Sequence, residues 1–207
     1  GKDGKMTAPR HLHGSHAFRI CPCETPEGAS CGLVKNMALT TIVTNGNSSE
    51  IIIEYLKAIG IMPLSKNIIG TRIFVNGKWY GSSNKPIEVT EELKKLKIGC
   101  DIAPDTGIVY DMQDDQIRIN TDSGRCIRPL FVVKNGNILL TEDNMNYKFQ
   151  EFISNGIIEY LDCDEEESAL IAFTVEDMQK RNTLQFTHCE IHPAMMLGIT
   201  ASNIPFT

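Results

Sequence analysis

The 207-residue chain has no apolar run approaching the length of a membrane span. Its opening, GKDGKMTAPR, carries neither an apolar secretory segment nor an initiator Met, so the chain reads as soluble, free of membrane partners, and as a piece of something larger. A basic excess is missing too. Against 26 Asp+Glu stand 20 Lys+Arg, a formal net charge of -6, which argues against coating nucleic acid by bulk charge; any such contact must be local. No GxGxxG precedes a helix, no GxxxxGK[ST] loop occurs, no serine sits in GxSxG, and no internal repeat is evident. A complete stand-alone active site is therefore not legible. The seven cysteines are odd in number and too few to staple a chain of this size, which favours reduced thiols in an intracellular compartment.

What is present suffices for a globular core: 42% of the residues are hydrophobic. CGLVKNMALTTIVT is apolar and β-branched and is expected to enter that core before the turn TNGNSS. Ile51, Ile52, Tyr55, Leu56 and Ile59 form a helical stripe that Gly60 should end. Asn76-Gly77, between two β-rich runs, predicts a tight hairpin. Thr90 is positioned to cap a short helix, EELKKLK, with Leu93 and Leu96 inward and Gly99 as its close. Residues 107–140 alternate β-prone runs with polar turns, like an antiparallel meander. Helical spacing returns at Phe149, Phe152 and Ile153, then come two strands, IIEYLD and ALIAFT, with the acidic run Asp162 to Glu167 between them. This mixture predicts an α+β class, built of antiparallel hairpins and meanders with several short helices.

Charge is uneven. Residues 1–35 carry Lys2, Lys5, Arg10, Arg19 and Lys35 against Asp3, Glu24 and Glu27, and their Gly-, Lys- and Pro-rich start has the composition of a loop able to reach phosphates. His11, His13, His16, Cys21, Cys23 and Cys31 form the densest set of metal-ligand types, but Cys-Pro-Cys followed by one isolated Cys fits structural zinc poorly; small apolar fillers are the plainer reading of those thiols. His188 and His192, four apart, lack a third ligand, and Pro193 limits any helix that would align them.

One stretch is far more specific. PRHLHGSHAFRICPCETPEGASCGLVKN, residues 9–36, resembles the fork region of the second-largest (beta-like) subunit of multisubunit DNA-directed RNA polymerases, whose hallmark is a His, a short spacer and C-P-x-E-T-P-E-G-x-x-C-G-L-V-K-N. His16, Cys21, Pro22, Glu24, Thr25, Pro26, Glu27, Gly28, Cys31, Gly32, Leu33, Val34, Lys35 and Asn36 all match. The likeness continues in order through RIFVNGKWYG, TDSGRCIRPLFVV, GIIEYLDCDEEESALIAF and THCEIHPAMMLGITASNIPF, over nearly the whole chain. It departs at Ala17-Phe18-Arg19, where the cellular family commonly has an aromatic residue and Gly, and at Thr207, where Pro is usual. The spacing resembles eukaryotic, archaeal and large-DNA-virus versions, and the departures suggest a divergent copy of viral or protist origin.

The resemblance implies a multi-domain fragment of a larger subunit: a fork region at 1–45, a first external domain at 46–135, a second at 136–186, and the start of the hybrid-binding domain at 187–207. It implies a nucleotidyltransferase with Mg2+ held mainly by the largest subunit, none bound by this fragment, which alone should be inactive. Implied partners are the largest and other subunits, the DNA template, the RNA–DNA hybrid and nucleoside triphosphates, in a nucleus, a cytoplasmic viral factory or a virion. Lys2, Lys5, Arg10 and His11 would meet nucleic acid. Glu27 would act from the outer shell near the incoming nucleotide, on a turn fixed by Pro26 and Gly28, with His16 and Gly32 as structural parts of the motif; a purely turn-forming role for Glu27 is equally open. Trp79, Phe74 and Phe131 are expected in domain cores, and Arg125 and Arg128 either pair with acidic neighbours such as Asp122 or serve a partner.

Overall fold

A computed structural model describes residues 6–61, 70–180 and 185–205. In chain order, β1 (Ile42–Asn45), α1 (Glu50–Ala58), β2 (Thr71–Val75), β3 (Lys78–Ser83), α2 (Pro86–Ile98), β4 (Gly107–Asp111), β5 (Gln116–Asn120), β6 (Ser123–Lys134), β7 (Asn137–Ile138), α3 (Phe149–Ser154), β8 (Ile158–Leu161), α4 (Cys163–Glu167), β9 (Ile171–Ala172), α5 (Val175–Lys180), β10 (His188–Cys189) and α6 (Ile199–Ser202) make an α+β structure. Among the described residues there are two sheets, and no helix is long and apolar enough to cross a membrane.

The smaller sheet runs β3-β2-β5-β4. Its hairpin turns at Asn76 and Gly77, both with positive φ (47° and 74°), as a primed turn requires. The Asn76 side chain also accepts from the Thr121 amide at 2.8 Å and donates to the Thr121 hydroxyl at 2.9 Å, tying the turn to the end of β5. Helices α1 and α2 cover the sheet, and Ile52, Leu56, Ile73, Leu93, Ile117 and Ile119 form the centre of its core. On α1 the stripe is narrower than its spacing suggests, because Ile51 is exposed while Ile52 and Leu56 are buried. Helix α2 begins at Pro86, whose missing N–H costs nothing at a first helical position. Thr90 is thus one turn inside the helix, not its cap, and its hydroxyl donates to the Pro86 carbonyl at 2.8 Å.

The expected meander is only partly realised. Strands β4 and β5 form an antiparallel hairpin, but the other edge of β5 is taken by a parallel pairing with β2. With both edges occupied, β5 cannot also receive β6. Strand β6 instead becomes the axis of the second sheet, pairing with β1, β7, β8 and β10, while β9 adds in parallel to β10. Two further expectations fail for the same reason, that an apolar residue at a sheet edge or on an outer face need not be covered. Leu33, Val34, Met37, Leu39, Ile42 and Val43 are exposed, and the segment reaches the interior only at Ala38 and Thr44. Trp79 is 38% exposed, stacked on Phe74 at 6.3 Å on the surface of the small sheet, with its indole N–H donating to the Gly81 carbonyl. Phe131 does pack, against Val133, Ala172, Met178 and Cys189.

Candidate nucleic-acid interface

Residues 6–38 form an arm on the second sheet. An isolated bridge between Ile20 and Met37 closes its base, with Cys21 N–H donating to the Asn36 carbonyl and Ala38 N–H to that of Arg19, both at 2.9 Å. Inside the arm the E-T-P-E-G-x-x-C-G motif has a readable purpose. The Thr25 hydroxyl accepts from Gly32 N–H at 2.8 Å and donates to the Val34 carbonyl at 3.0 Å, and the Asn36 amide donates to the Glu24 carbonyl. Gly28 and Gly32 hold φ of 82° and 73°, a region that favours glycine. Arg10 Nη1 donates to the carbonyls of Ala29 and Cys31 at 2.8 and 2.7 Å, so this side chain pins the tip of the arm from within.

Pro26, Glu27 and Gly28 are exposed at that tip. Glu27 precedes a single 3-10 turn, Gly28–Ser30, and its side chain makes no capping hydrogen bond, so the carboxylate faces outward uncommitted. His11 is exposed, and Lys35 is exposed with its ammonium near the Gly32 carbonyl. His16, half-buried, accepts weakly through Nδ1 from the His13 amide at 3.4 Å and stacks edge-on to that ring. Lys2 and Lys5 lie outside the described residues. One oxygen of Glu24, Oε2, is buried without a hydrogen-bond partner and lies against Gly198, where a Cβ would collide with it. Close by, Leu39 N–H donates to the Leu197 carbonyl, anchoring the outgoing side of the arm. Among the described residues no group of three or more His, Cys, Asp or Glu side chains is placed to hold a metal ion; Cys21 is buried and Cys23 and Cys31 are exposed.

Gly32→Ala tests the pinning directly. Its Cβ would run into the Arg10 backbone, which cannot swing away as a side-chain tip would, and its φ disfavours any L residue. Trypsin cleavage after Arg10 and Lys35 is expected to accelerate about tenfold while the sheets melt unchanged, because only the local opening free energy falls.

The incoming side of the arm ends in an ionic cluster that sequence reading missed. Arg19 is 4% exposed; its Nη1 and Nη2 reach both oxygens of Glu166 at 2.9 Å, and its Nε donates to the Cys126 carbonyl at 3.1 Å. Glu166 also accepts from Arg128 Nε, and Arg128 Nη1 donates to Glu190 at 2.6 Å. Burial pushes the Glu190 carboxyl up, against the pull of Arg128. Immediately before Arg19, Phe18 holds φ of 56°, a conformation costing a bulky residue on the order of 1–3 kcal/mol. Its ring lies 4.6 Å from the Arg128 guanidinium carbon and edge-on to Phe173 at 5.9 Å.

A second cluster surrounds Lys97, 2% exposed on α2, whose ammonium meets Glu165 at 3.0 Å, Glu159 at 3.3 Å and the Tyr160 carbonyl at 2.9 Å. Burial opposes ionisation of Glu159, but the Lys97 charge, helped by a hydrogen bond with His188, outweighs it and holds the carboxyl at about 2. For Glu165 burial wins and its pKa rises, although it accepts from Lys97 and from the Ile108 amide. Arg125 bridges Asp122 at 3.0 Å and Asp162 at 2.9 Å, so both arginines of β6 are spent inside the chain. His192 accepts from the Ala194 amide and, among the described residues, pairs with no acid. The missed signal is a charged residue set singly among apolar ones, Arg19 in AFRIC and Glu190 in CEI, together with an acidic run from which Asp162, Glu165 and Glu166 turn inward while Glu167 stays exposed.

Three family models match in order: RNA polymerase Rpb2 domain 3 over residues 1–43, domain 4 over 73–134 and domain 5 over 149–193. The chain belongs to the Rpb2 family. It is 39% identical over 222 residues to a DNA-directed RNA polymerase II subunit RPB2 of Encephalitozoon cuniculi, covering 99% of this chain and 20% of that protein. Against the DNA-directed RNA polymerase II subunit 2 of Arabidopsis thaliana it is 38% identical over 229 residues, with 100% and 19% covered. The archaeal subunit Rpo2 of Saccharolobus shibatae is 32% identical over 219 residues, with 95% and 19% covered. The chain thus spans about a fifth of the length of these Rpb2 relatives. Set on the Rpb2 domains, the buried ion pairs share one property. Arg19 to Glu166 joins domains 3 and 5, and Arg128 to Glu166 and Glu190, Lys97 to Glu159 and Glu165, and Arg125 to Asp162 all join domains 4 and 5.

Proposed function

We propose that this chain is part of the second-largest subunit of a DNA-directed RNA polymerase, where its arm faces downstream DNA and the RNA–DNA hybrid and the rest forms the outer wall of the cleft. The observation that carries this reading is the arm itself: a loop braced from within by Arg10 and Thr25, seated on a buried ionic base, and presenting His11, Lys35 and Glu27 outward. Cations on such a loop neutralise phosphates without reading bases, which suits an enzyme that must move over any template. Glu27 then works indirectly, by orienting water or a basic neighbour near the incoming nucleotide. In this reading 1–45 is the fork, 46–135 and 136–186 are two external domains, and 187–207 begins the hybrid-binding domain. Mg2+ belongs to the assembled enzyme, on ligands from the largest subunit, and the compartment is the nucleus, or a viral factory or virion for a viral copy.

A second reading, a non-catalytic interaction module of the same fold, draws on the exposed apolar strip from Leu33 to Val43. One experiment separates them: tag the full-length subunit in its native setting, identify what co-purifies, and ask whether the eluate extends RNA. A large partner with template- and metal-dependent synthesis is expected, and neutralising Lys35 should lower the salt slope of DNA binding by about 1. A chain that emerges alone and inactive would hand the assignment to the interaction module.

A further inference from the structure

We propose that Phe18 and Arg19 are positioning residues that set the stance of the fork arm, acting through Arg128, Glu166 and Phe173; the functional consequence rests on the polymerase reading above. The arm meets the body at two places. On its outgoing side the contact is the hydrogen bond of Leu39 to Leu197, with Glu24 against Gly198. On the incoming side the contacts centre on two consecutive residues, whose carbonyls also accept from the Thr41 hydroxyl at 3.3 and 2.9 Å. Arg19 grips Glu166 with both terminal nitrogens and the strand carbonyl of Cys126 with Nε, while the Phe18 ring is clasped between the Arg128 guanidinium and Phe173.

The backbone at Phe18 is turned to a φ that a phenylalanine does not adopt unaided, and the ring contacts and the Arg19 pair hold it there together with the Thr41 hydroxyl. A kink held in this way defines a direction. Because Arg10, Thr25 and Asn36 make the arm one hydrogen-bonded piece, a rotation at Phe18-Arg19 is carried to the tip bearing Glu27 rather than absorbed on the way. Releasing these two residues would leave Leu39 as the pivot and let the tip swing. Arg128 and Glu166 serve both the clasp and the domain 4 to domain 5 join, so the arm is referenced to both external domains at once.

The test uses the assembled polymerase containing this subunit, with Phe18→Gly, which tolerates the φ but removes the ring, Arg19→Lys, which keeps the charge but not the two-pronged grip, and Phe18→Tyr as the conservative rescue. Single-nucleotide addition on a preformed DNA–RNA scaffold gives KM and kcat separately, and hydrogen exchange at residues 19–21 and 38, whose amides bond at the base of the arm, reports its stance without needing activity. Phe18→Gly and Arg19→Lys are expected to raise nucleotide KM about threefold to tenfold with kcat within about twofold, and to speed exchange in the arm about tenfold, while β2 to β5 stay protected. Phe18→Tyr should return both to near wild type. Lower melting temperature with unchanged KM and unchanged arm exchange would overturn the proposal and leave Phe18 and Arg19 as packing. If the wild-type complex makes no RNA, the polymerase reading fails, and the exchange result alone still decides whether these residues hold the arm.

Discussion

Glu166→Ala is expected to lower the unfolding free energy by about 3–5 kcal/mol, because it removes the carboxylate shared by two arginines, each 4% exposed, and strands Arg19. Arg128 keeps Glu190, but Arg19 keeps only backbone carbonyls, which cannot balance a buried charge. Glu166→Gln should lose less, since an amide oxygen still accepts one of the guanidinium hydrogen bonds. A quadruple variant, Arg19→Met, Arg128→Met, Glu166→Leu and Glu190→Leu, removes every charge together and is expected to recover most of the loss, as apolar replacements of buried ion clusters can. Urea unfolding of the four chains decides the matter. If the quadruple variant is as unstable as Glu166→Ala, volume and shape at this junction outweigh orphaned charge.

Lys97 gives the second large effect and its sign depends on pH. The carboxyl of Glu159 is depressed to about 2 from an ordinary 4.5, so its contribution is complete above about pH 4.5 and is lost as pH falls toward 2; by proton linkage this is on the order of 3 kcal/mol. Glu165 and Glu190, raised by burial, act in the opposite sense: they weigh on the fold at neutral pH and cease to do so as they take up protons. Wild-type stability should therefore change little on mild acidification and fall steeply only below about pH 4.5. In Lys97→Met the cation shared by Glu159 and Glu165 is gone, so both carboxyls titrate above their unfolded values. This variant is expected to lose about 3–5 kcal/mol at pH 7 and to regain stability from pH 7 to 5, where the parent changes little. Denaturant midpoints across that range check it; a variant as flat as the parent over that range would show that Glu159 draws its ionisation from His188 or another cation.

What could be read without coordinates follows from how local each interaction is. The Asn76-Gly77 hairpin, the stop of α1 at Gly60 and the inward face of α2 at Leu93 depend on neighbours a few residues away, and each is where periodicity and turn chemistry put it. The E-T-P-E-G-x-x-C-G segment was recognisable as a motif, but its mechanics were not, since Thr25, Gly32 and Val34 come together only in the folded arm. Thr90 misled because Pro86, four residues earlier, starts the helix more favourably. For Arg125 and Arg128 the sequence leaves an internal and an external partner equally open, and the internal one holds, with Asp162, Glu166 and Glu190 at 37, 38 and 62 residues' distance. Long-range charge pairing of this kind leaves no periodicity. Arg10 shows the same limit in small: as a cation on a loop it suggests phosphate, whereas its Nη1 is given to two carbonyls of its own arm.

The topology around β6 also sets an order of events during synthesis. The sheet of β2 to β5 with α2 spans residues 71–120, so it can close soon after that stretch leaves the ribosome. Strand β1 must wait for β6, and β6 in turn receives β8 and β10 only when nearly all of this segment has been made. Arg19 waits longest of the buried charges, since its partner Glu166 arrives 147 residues later. The arm, translated before either sheet, is therefore among the last parts to be fixed, and through that interval its exposed apolar residues and unpaired arginine are open to chaperones.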